Sequence, residues 1–254
     1  MLFRSVHVDC DPSSIDKNVP ADLGIVADVK DLLTTVNSRV KQCSRGAWIA
    51  RVAKWKTSCP FSYRPLHKGV IMPQAVVEAL NRAADVRTVL VTDVGQNQMW
   101  CAQYFRHSRP RHFLASGGMG TMGFALPAAI GAAIARPDCR VVAVAGDGGV
   151  QMTIEELAVA VTERLPIAIV VVNNGCLGMV RQMQDESFGG RRCAVDFPRV
   201  NGATVPDFVK LARAYGAAGV RVTDPAKLDS VIARAMRARR PTLVEVVVEP
   251  EADV

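Results

Sequence analysis

Two apolar runs, Val141 to Ala145 and Ile167 to Val172, stand out because neither alternates with polar residues. Unbroken runs of this length are expected of parallel strands covered on both faces. Between them, Thr153-Ile154-Glu155-Glu156 reads as a capping box, with Thr153 as N-cap and Glu156 at the third helical position. The amphipathic helix it opens is expected to run to about Arg164, and Pro166 starts the second strand. Further helices are expected from Met72 to Ala84, from about Gln98, over Gly123–Ala135, near Val205–Tyr215 and over Pro225–Arg239. Further strands are expected at Thr88–Thr92, His112–Ala115 and Leu243–Val248. Strands alternating with helices predict an α/β fold, a doubly wound and mostly parallel sheet with helices on both faces. Ahead of it, a strand over Ser5–Asp9 and a short helix near Asp28–Val36 read as the tail of another α/β domain. Residues 37–66, with Trp48, Trp55, Cys59-Pro60 and Arg64-Pro65, read as helix and linker. The expected division is therefore 1–36, 37–66 and 67–254.

The chemistry sits where the two runs end. The first run leads into Gly146-Asp147-Gly148 and the second into Asn173-Asn174, with 24 residues between Gly148 and Asn173. A strand-helix-strand crossover is right-handed and sets its strands parallel. Asp147 and Asn174 are therefore expected at one carboxyl edge of the sheet, where open α/β folds bind ligands. One carboxylate and one amide oxygen suit a hard cation such as Mg2+, which is usually completed by substrate phosphates and water. Gly148 and Gly149 leave backbone N–H groups open to an anion. These residues point to a Mg-diphosphate site, against the plainer alternative of a βαβ unit whose turns happen to use Asp and Asn. Gly118-x-Gly120-x-x-Gly123 also matches the dinucleotide fingerprint between a strand and a helix. The acidic residue expected at the end of the next strand is missing, because Asp138 precedes that strand and Asp147 lies beyond the usual spacing.

Gly-Asp-Gly followed at this distance by Asn-Asn resembles the thiamine diphosphate (ThDP) motif of ThDP-dependent enzymes. Val6 to Pro12, Val94 to Trp100, Ser116 to Gly123 and Leu177 to Gln182 resemble, in order, blocks of the acetolactate synthase (acetohydroxyacid synthase) catalytic large subunit. The resemblance implies that residues 67–254 are a diphosphate-binding domain of the ThDP-binding fold and that residues 1–36 end a central domain. It implies Mg2+ ligands in Asp147, Asn174 and the Cys176 carbonyl. Gly95, Gln96, Asn97 and Gln98 match the diphosphate loop, although a histidine is usual at Asn97. Gly120 would accept a hydrogen bond from the aminopyrimidine, Met122 would wedge beneath the cofactor rings, and Met179 joins the cofactor contacts beside Gly148 and Gly149. Met183 stands where a tryptophan often shapes the pocket for the second 2-oxo acid. The activating glutamate belongs to a pyrimidine-binding domain in this family and matches no residue here, so no catalytic residue is expected in this chain. The implied reaction condenses pyruvate with a second 2-oxo acid after decarboxylation, in branched-chain amino acid biosynthesis. FAD, at least a dimer and a small regulatory subunit are implied for a full-length enzyme. A different ThDP enzyme (decarboxylase, pyruvate oxidase or carboligase) and a non-catalytic remnant that only binds ThDP remain the alternatives.

Composition narrows the setting. At 254 residues, 49% hydrophobic and 22% charged, the chain suits an ordinary globular protein. Its longest nearly apolar stretch, Phe124 to Ala135, contains Pro127 and Gly131 and is too short to span a membrane. No charged leader precedes an apolar core, so no secretion signal is expected. Seven cysteines without a Cys-x-x-Cys pair suggest free thiols in a cytoplasmic setting. The net charge of +7 includes Arg234, Arg237, Arg239, Arg240, Arg191 and Arg192, with no interleaved aromatics, so a solvated basic surface is expected and no nucleic-acid or membrane partner.

Overall fold

The computed structural model describes residues 5–200, 203–204 and 206–254, and the chain divides into two units, Met1–Pro60 and Phe61–Val254. In the first unit β1 (Val6–Asp9) pairs in parallel with β2 (Leu23–Val26), and α1 (Val29–Asn37) and α2 (Gly46–Ser58) follow. Asp28 caps α1, its Oδ1 accepting the Lys30 N–H at 2.8 Å. Trp48 and Trp55 meet edge to face on α2 with ring centroids 5.6 Å apart. No described residue of this unit is buried. A two-stranded sheet of this kind has little stability of its own.

The second unit runs α3 (Pro73–Ala83), β3 (Thr88–Thr92), α4 (Gln96–Tyr104), β4 (Phe113–Ala115), α5 (Ala125–Ala135), β5 (Arg140–Gly146), α6 (Asp147–Gln151), α7 (Leu157–Thr162), β6 (Ala168–Asn173) and α8 (Gly178–Phe188). A short antiparallel pair, β7 (Arg199–Val200) with β8 (Ala203–Thr204), precedes α9 (Phe208–Ala214), β9 (Ala218–Val222), α10 (Pro225–Met236) and β10 (Thr242–Val247). Six strands form one parallel sheet in the order β4-β3-β5-β6-β10-β9. Side chains alternate faces along a strand. Val142, Val144, Val170, Val172, Val244 and Val246 thus join α3, α4 and α10 in one core. Val141, Ala143, Ala145, Ile169, Val171 and Leu243 join α5, α7 and α9 in the other. Covering both faces is the physical reason the central strands lack polar alternation, and the expected doubly wound fold is the one observed.

The capping box is not formed. The Glu156 N–H donates to the Thr153 backbone carbonyl at 3.1 Å, so residues 154–156 make a single 3-10 turn before α7, and the Thr153 hydroxyl donates to the Gly123 carbonyl at 2.8 Å. The helix also stops early. Arg164 turns left-handed at φ 52°, and the Leu165 N–H reaches back to the Ala160 carbonyl at 2.9 Å. β2, α6, α8 and β9 have no counterpart in the sequence reading. The helix expected from Val205 starts outside the described residues, and α9 begins at Phe208, capped by Asp207. Among the described residues no helix is long and apolar enough to cross a membrane, and all seven cysteines are free.

The two cores give a direct test of burial. Ile232 of α10 is fully buried, whereas Ile134 of α5 is 57% exposed. Ile232→Ala should cost about 2–5 kcal/mol and Ile134→Ala about 0.5 kcal/mol or less. Urea denaturation midpoints at unchanged m-value would measure both.

Candidate functional site

The strand order creates a crevice. From β3 the chain leaves for β4 on one side and returns to β5 on the other, so the carboxyl ends of β3 and β5 lie at a topological switch point. A cavity of about 400 Å3 opens there. Val94, Gly95, Gln96 and Asn97 enter it after β3, Gly120 and Met122 after β4, Gly146 at the end of β5 and Asp147 to Gly149 beyond it, and Asn174 and Cys176 to Val180 after β6. Of the residues expected at a cofactor site, Gly95, Gln96, Asn97, Gly120, Met122, Gly148, Gly149 and Met179 line this cavity, as do Asp147, Asn174 and Cys176. Gln98 and Met183 do not line it. Met183 lies one helical turn beyond Met179 and Val180, 57% exposed.

Asp147 opens α6 at the end of β5 and is only 3% exposed. Its Oδ1 accepts the Gly148 N–H at 2.9 Å and its Oδ2 the Gly175 N–H at 2.7 Å. Burial pushes its pKa up to about 7; the two N–H donors oppose the shift and the nearby Glu245 charge adds to it. Each carboxylate oxygen keeps a second lone pair for a cation. Gly175 stands between Asn174 and Cys176 with φ +75°, a conformation that favours glycine. Asn174 Oδ1 accepts the Cys176 N–H at 3.2 Å. The Cys176 thiol is pushed up to about 11 by burial.

Several buried polar atoms of the lining have no protein partner: Gln96 Oε1, Asn97 Oδ1 and Trp100 Nε1. Buried polar groups are nearly always paired, so these atoms fit a polar ligand in the cavity. The donor set is likewise one of hard oxygens, a carboxylate, an amide and a carbonyl, which suits Mg2+. Among the described residues no group of three or more His, Cys, Asp or Glu side chains gathers, so a soft-metal cluster has no counterpart. The glycines keep the walls close. A Cβ on Gly148 would meet Leu177 Cδ2 at 2.8 Å and Met122 Cε at 3.0 Å, and one on Gly178 would overlap Gln96 Oε1.

Asp93 was not among the expected site residues, yet it holds the glycine loop in place. Buried at the end of β3, it accepts the Gly123 N–H on Oδ1 and the Ala125 N–H on Oδ2, both at 3.0 Å. A Cβ on Gly149 would lie 2.5 Å from its Oδ1. Trp100 was also missed. Its helix position alone reads as core, and only the unpaired indole N–H at the cavity sets it apart.

The family described as "Thiamine pyrophosphate enzyme, C-terminal TPP binding domain" matches residues 93–246. The chain is 40% identical over 258 residues to the "Acetolactate synthase" of Mycobacterium bovis, covering 99% of this chain and 42% of that protein. It is 39% identical over 254 residues to the "Acetolactate synthase isozyme 3 large subunit" of Escherichia coli, covering 96% of this chain and 43% of the relative. Against the "Probable acetolactate synthase 2, chloroplastic" of rice it is 37% identical over 264 residues, covering 99% and 40%. The chain thus spans less than half the length of these curated relatives.

Asp93→Asn preserves shape but sets an amide NH2 against a backbone N–H. It should lower stability by about 1–3 kcal/mol and speed amide exchange at Gly123 and Ala125. Unchanged exchange at both amides would remove Asp93 from the loop's support.

Proposed function

The chain belongs to the thiamine pyrophosphate enzymes, and we propose that it forms the cofactor-binding part of an acetolactate synthase-like enzyme. The proposed reaction joins pyruvate, after its decarboxylation, to a second 2-oxo acid, a step in making branched-chain amino acids. One observation carries this reading: Asp147 and Asn174, at the ends of neighbouring strands, line a single cavity with the Gly95–Asn97 and Gly120–Met122 segments. The names of the relatives favour the synthase over other ThDP enzymes.

Bound ThDP would supply a stabilised carbanion equivalent, chemistry that side chains lack. In this reading the chain's own residues bind and orient. Asp147, Asn174 and the Cys176 carbonyl would hold Mg2+, and through it the diphosphate. On α4 the Trp100 N–H is a free donor that would suit an acceptor of the cofactor, whereas the unpaired amide oxygens of Gln96 and Asn97 would need donor groups or water. Met122, flexible and unbranched, would fill the space beneath the rings, while the Gly120 carbonyl would face the aminopyrimidine. Met183, on the exposed side of α8, would border the second 2-oxo acid. Among the described residues no glutamate lines the cavity, so the activating carboxylate is assigned to another part of a longer protein. A homo-oligomer, a small regulatory subunit and FAD would likewise belong to that longer protein, in a reducing cytoplasm.

Calorimetry of the 254-residue chain with ThDP and Mg2+ should show Mg2+-dependent binding without acetolactate formation from pyruvate. Asp147→Ala should weaken that binding by more than the ~10–100-fold typical of losing an outer-shell partner. Equal titrations for both proteins would remove the metal assignment, and turnover by the chain alone would overturn the assignment of the carboxylate elsewhere.

A further inference from the structure

Glu245 lies in the middle of β10, 1% exposed, in register with Val171 of β6 and Arg221 of β9. A carboxylate in that position is costly unless it is paired and hydrogen-bonded. Its Oε2 accepts from Arg221 Nε at 2.8 Å, and its Oε1 accepts from Asn173 Nδ2 at 2.8 Å. Asn173 Oδ1 in turn accepts the Gly175 N–H at 3.0 Å, the same N–H that donates to Asp147 Oδ2 at 2.7 Å.

We propose that Glu245 is a positioning residue for the Asp147–Asn174 site, fixing the orientation of the Asn173 carboxamide and through it the Gly175 turn. Its functional consequence, though not its structural one, rests on the Mg-diphosphate reading. An asparagine amide has a donor end and an acceptor end of nearly the same shape. A carboxylate only accepts, so opposite Glu245 the amide must present its NH2. The amide oxygen is thereby turned to Gly175. A neutral partner would not impose that choice.

The other carboxylate oxygen is held as well. Arg221 Nη2 donates to Asp207 Oδ1 at 3.0 Å, and Asp207 also accepts the Val209 and Lys210 N–H groups as the cap of α9. Asp207, Arg221, Glu245, Asn173, Gly175 and Asp147 thus form a row across β9, β10, β6 and β5, each donor facing an acceptor. Asn174, next to the ordered amide, and Cys176, next to the ordered glycine, inherit their placement from it.

Two variants test the row. Glu245→Gln keeps the volume but offers one acceptor to two donors, Arg221 and Asn173. Combining Glu245→Gln with Asn173→Asp restores complementarity at unchanged total charge. The new carboxylate accepts from Gly175 and from the glutamine NH2, and the glutamine oxygen accepts from Arg221. In the chain without ligands, Glu245→Gln should speed amide exchange at Gly175 about tenfold and leave Val170, in the same strand, unchanged. The double variant should restore the wild-type rate. With ThDP present, calorimetry should show Glu245→Gln needing about tenfold more Mg2+, again recovered in the double variant. Unchanged exchange at Gly175, equal acceleration at Val170 without rescue, or an unmoved Mg2+ dependence would each overturn the proposal. A wild-type chain that takes up no Mg2+ and ThDP would instead sink the functional reading, and the exchange rates would still decide the role of Glu245.

Discussion

Everything at the carboxyl edge of the sheet depends on one buried contact, the Gly175 N–H donating to the Asp147 carboxylate at 2.7 Å. It ties the end of β5 to the turn after β6, two segments 28 residues apart in sequence. A carboxylate loses hydration when buried, and burial is the main cause of the rise in the Asp147 pKa. Backbone N–H groups compensate, because they bring dipoles without closing the cavity with side chains. That requirement accounts for the local glycines. Gly175 needs a left-handed backbone, and Gly148 needs space for Leu177 and Met122 to close over α6.

Asp93 repeats this arrangement one strand away. It too ends a central strand, is buried, and spends its oxygens on backbone N–H groups of a distant segment, Gly123 and Ala125. Gly149 lets the two devices approach, since any side chain there would strike Asp93. The Gly123 carbonyl then receives the Thr153 hydroxyl, so the glycine loop is fixed from both β3 and the segment after α6. Two carboxylates and a hydroxyl do here what a continuous apolar core does deeper in the sheet.

Much of the fold was legible because burial on both faces writes itself into sequence as unbroken Val, Ala and Ile. β5 and β6 are such strands, β3 is a shorter one between two threonines, and β10 keeps the pattern apart from the buried Glu245; the reading of all four was close to residue level. β9 was not legible, for it is an edge strand with Gly219 and with Arg221 turned to Glu245. The capping box misled because the Glu156 N–H, which the Thr153 hydroxyl would have capped, donates to the Thr153 backbone carbonyl, while the hydroxyl is drawn to the Gly123 carbonyl thirty residues earlier. The same limit applies to the cavity. Asp147, Asn174, Gly148 and Gly149 could be read from the residues themselves and Gly95 and Gly120 only through the family resemblance, whereas Asp93 and Trp100 belong to it through contacts that sequence proximity does not announce.

α8 shows why a helix can escape the reading even where its residues, Met179 among them, were expected at the site. Its sequence is polar, and Arg181 is its one buried residue, 2% exposed. The guanidinium donates to Asp253 at 2.6 Å, to the Ala252 carbonyl at 3.0 Å and to Glu251 at 3.2 Å. Gln96, which lines the cavity, donates to Gln182 of the same helix and to the Ala252 carbonyl. Hydrophobic periodicity cannot forecast a helix seated by a buried cation rather than by an apolar stripe. Such seating is directional, so it fixes the rotation of α8 about its axis more tightly than oily packing would. Met179 and Val180 face the cavity for that reason, and Met183, on the next turn, follows the same line outward.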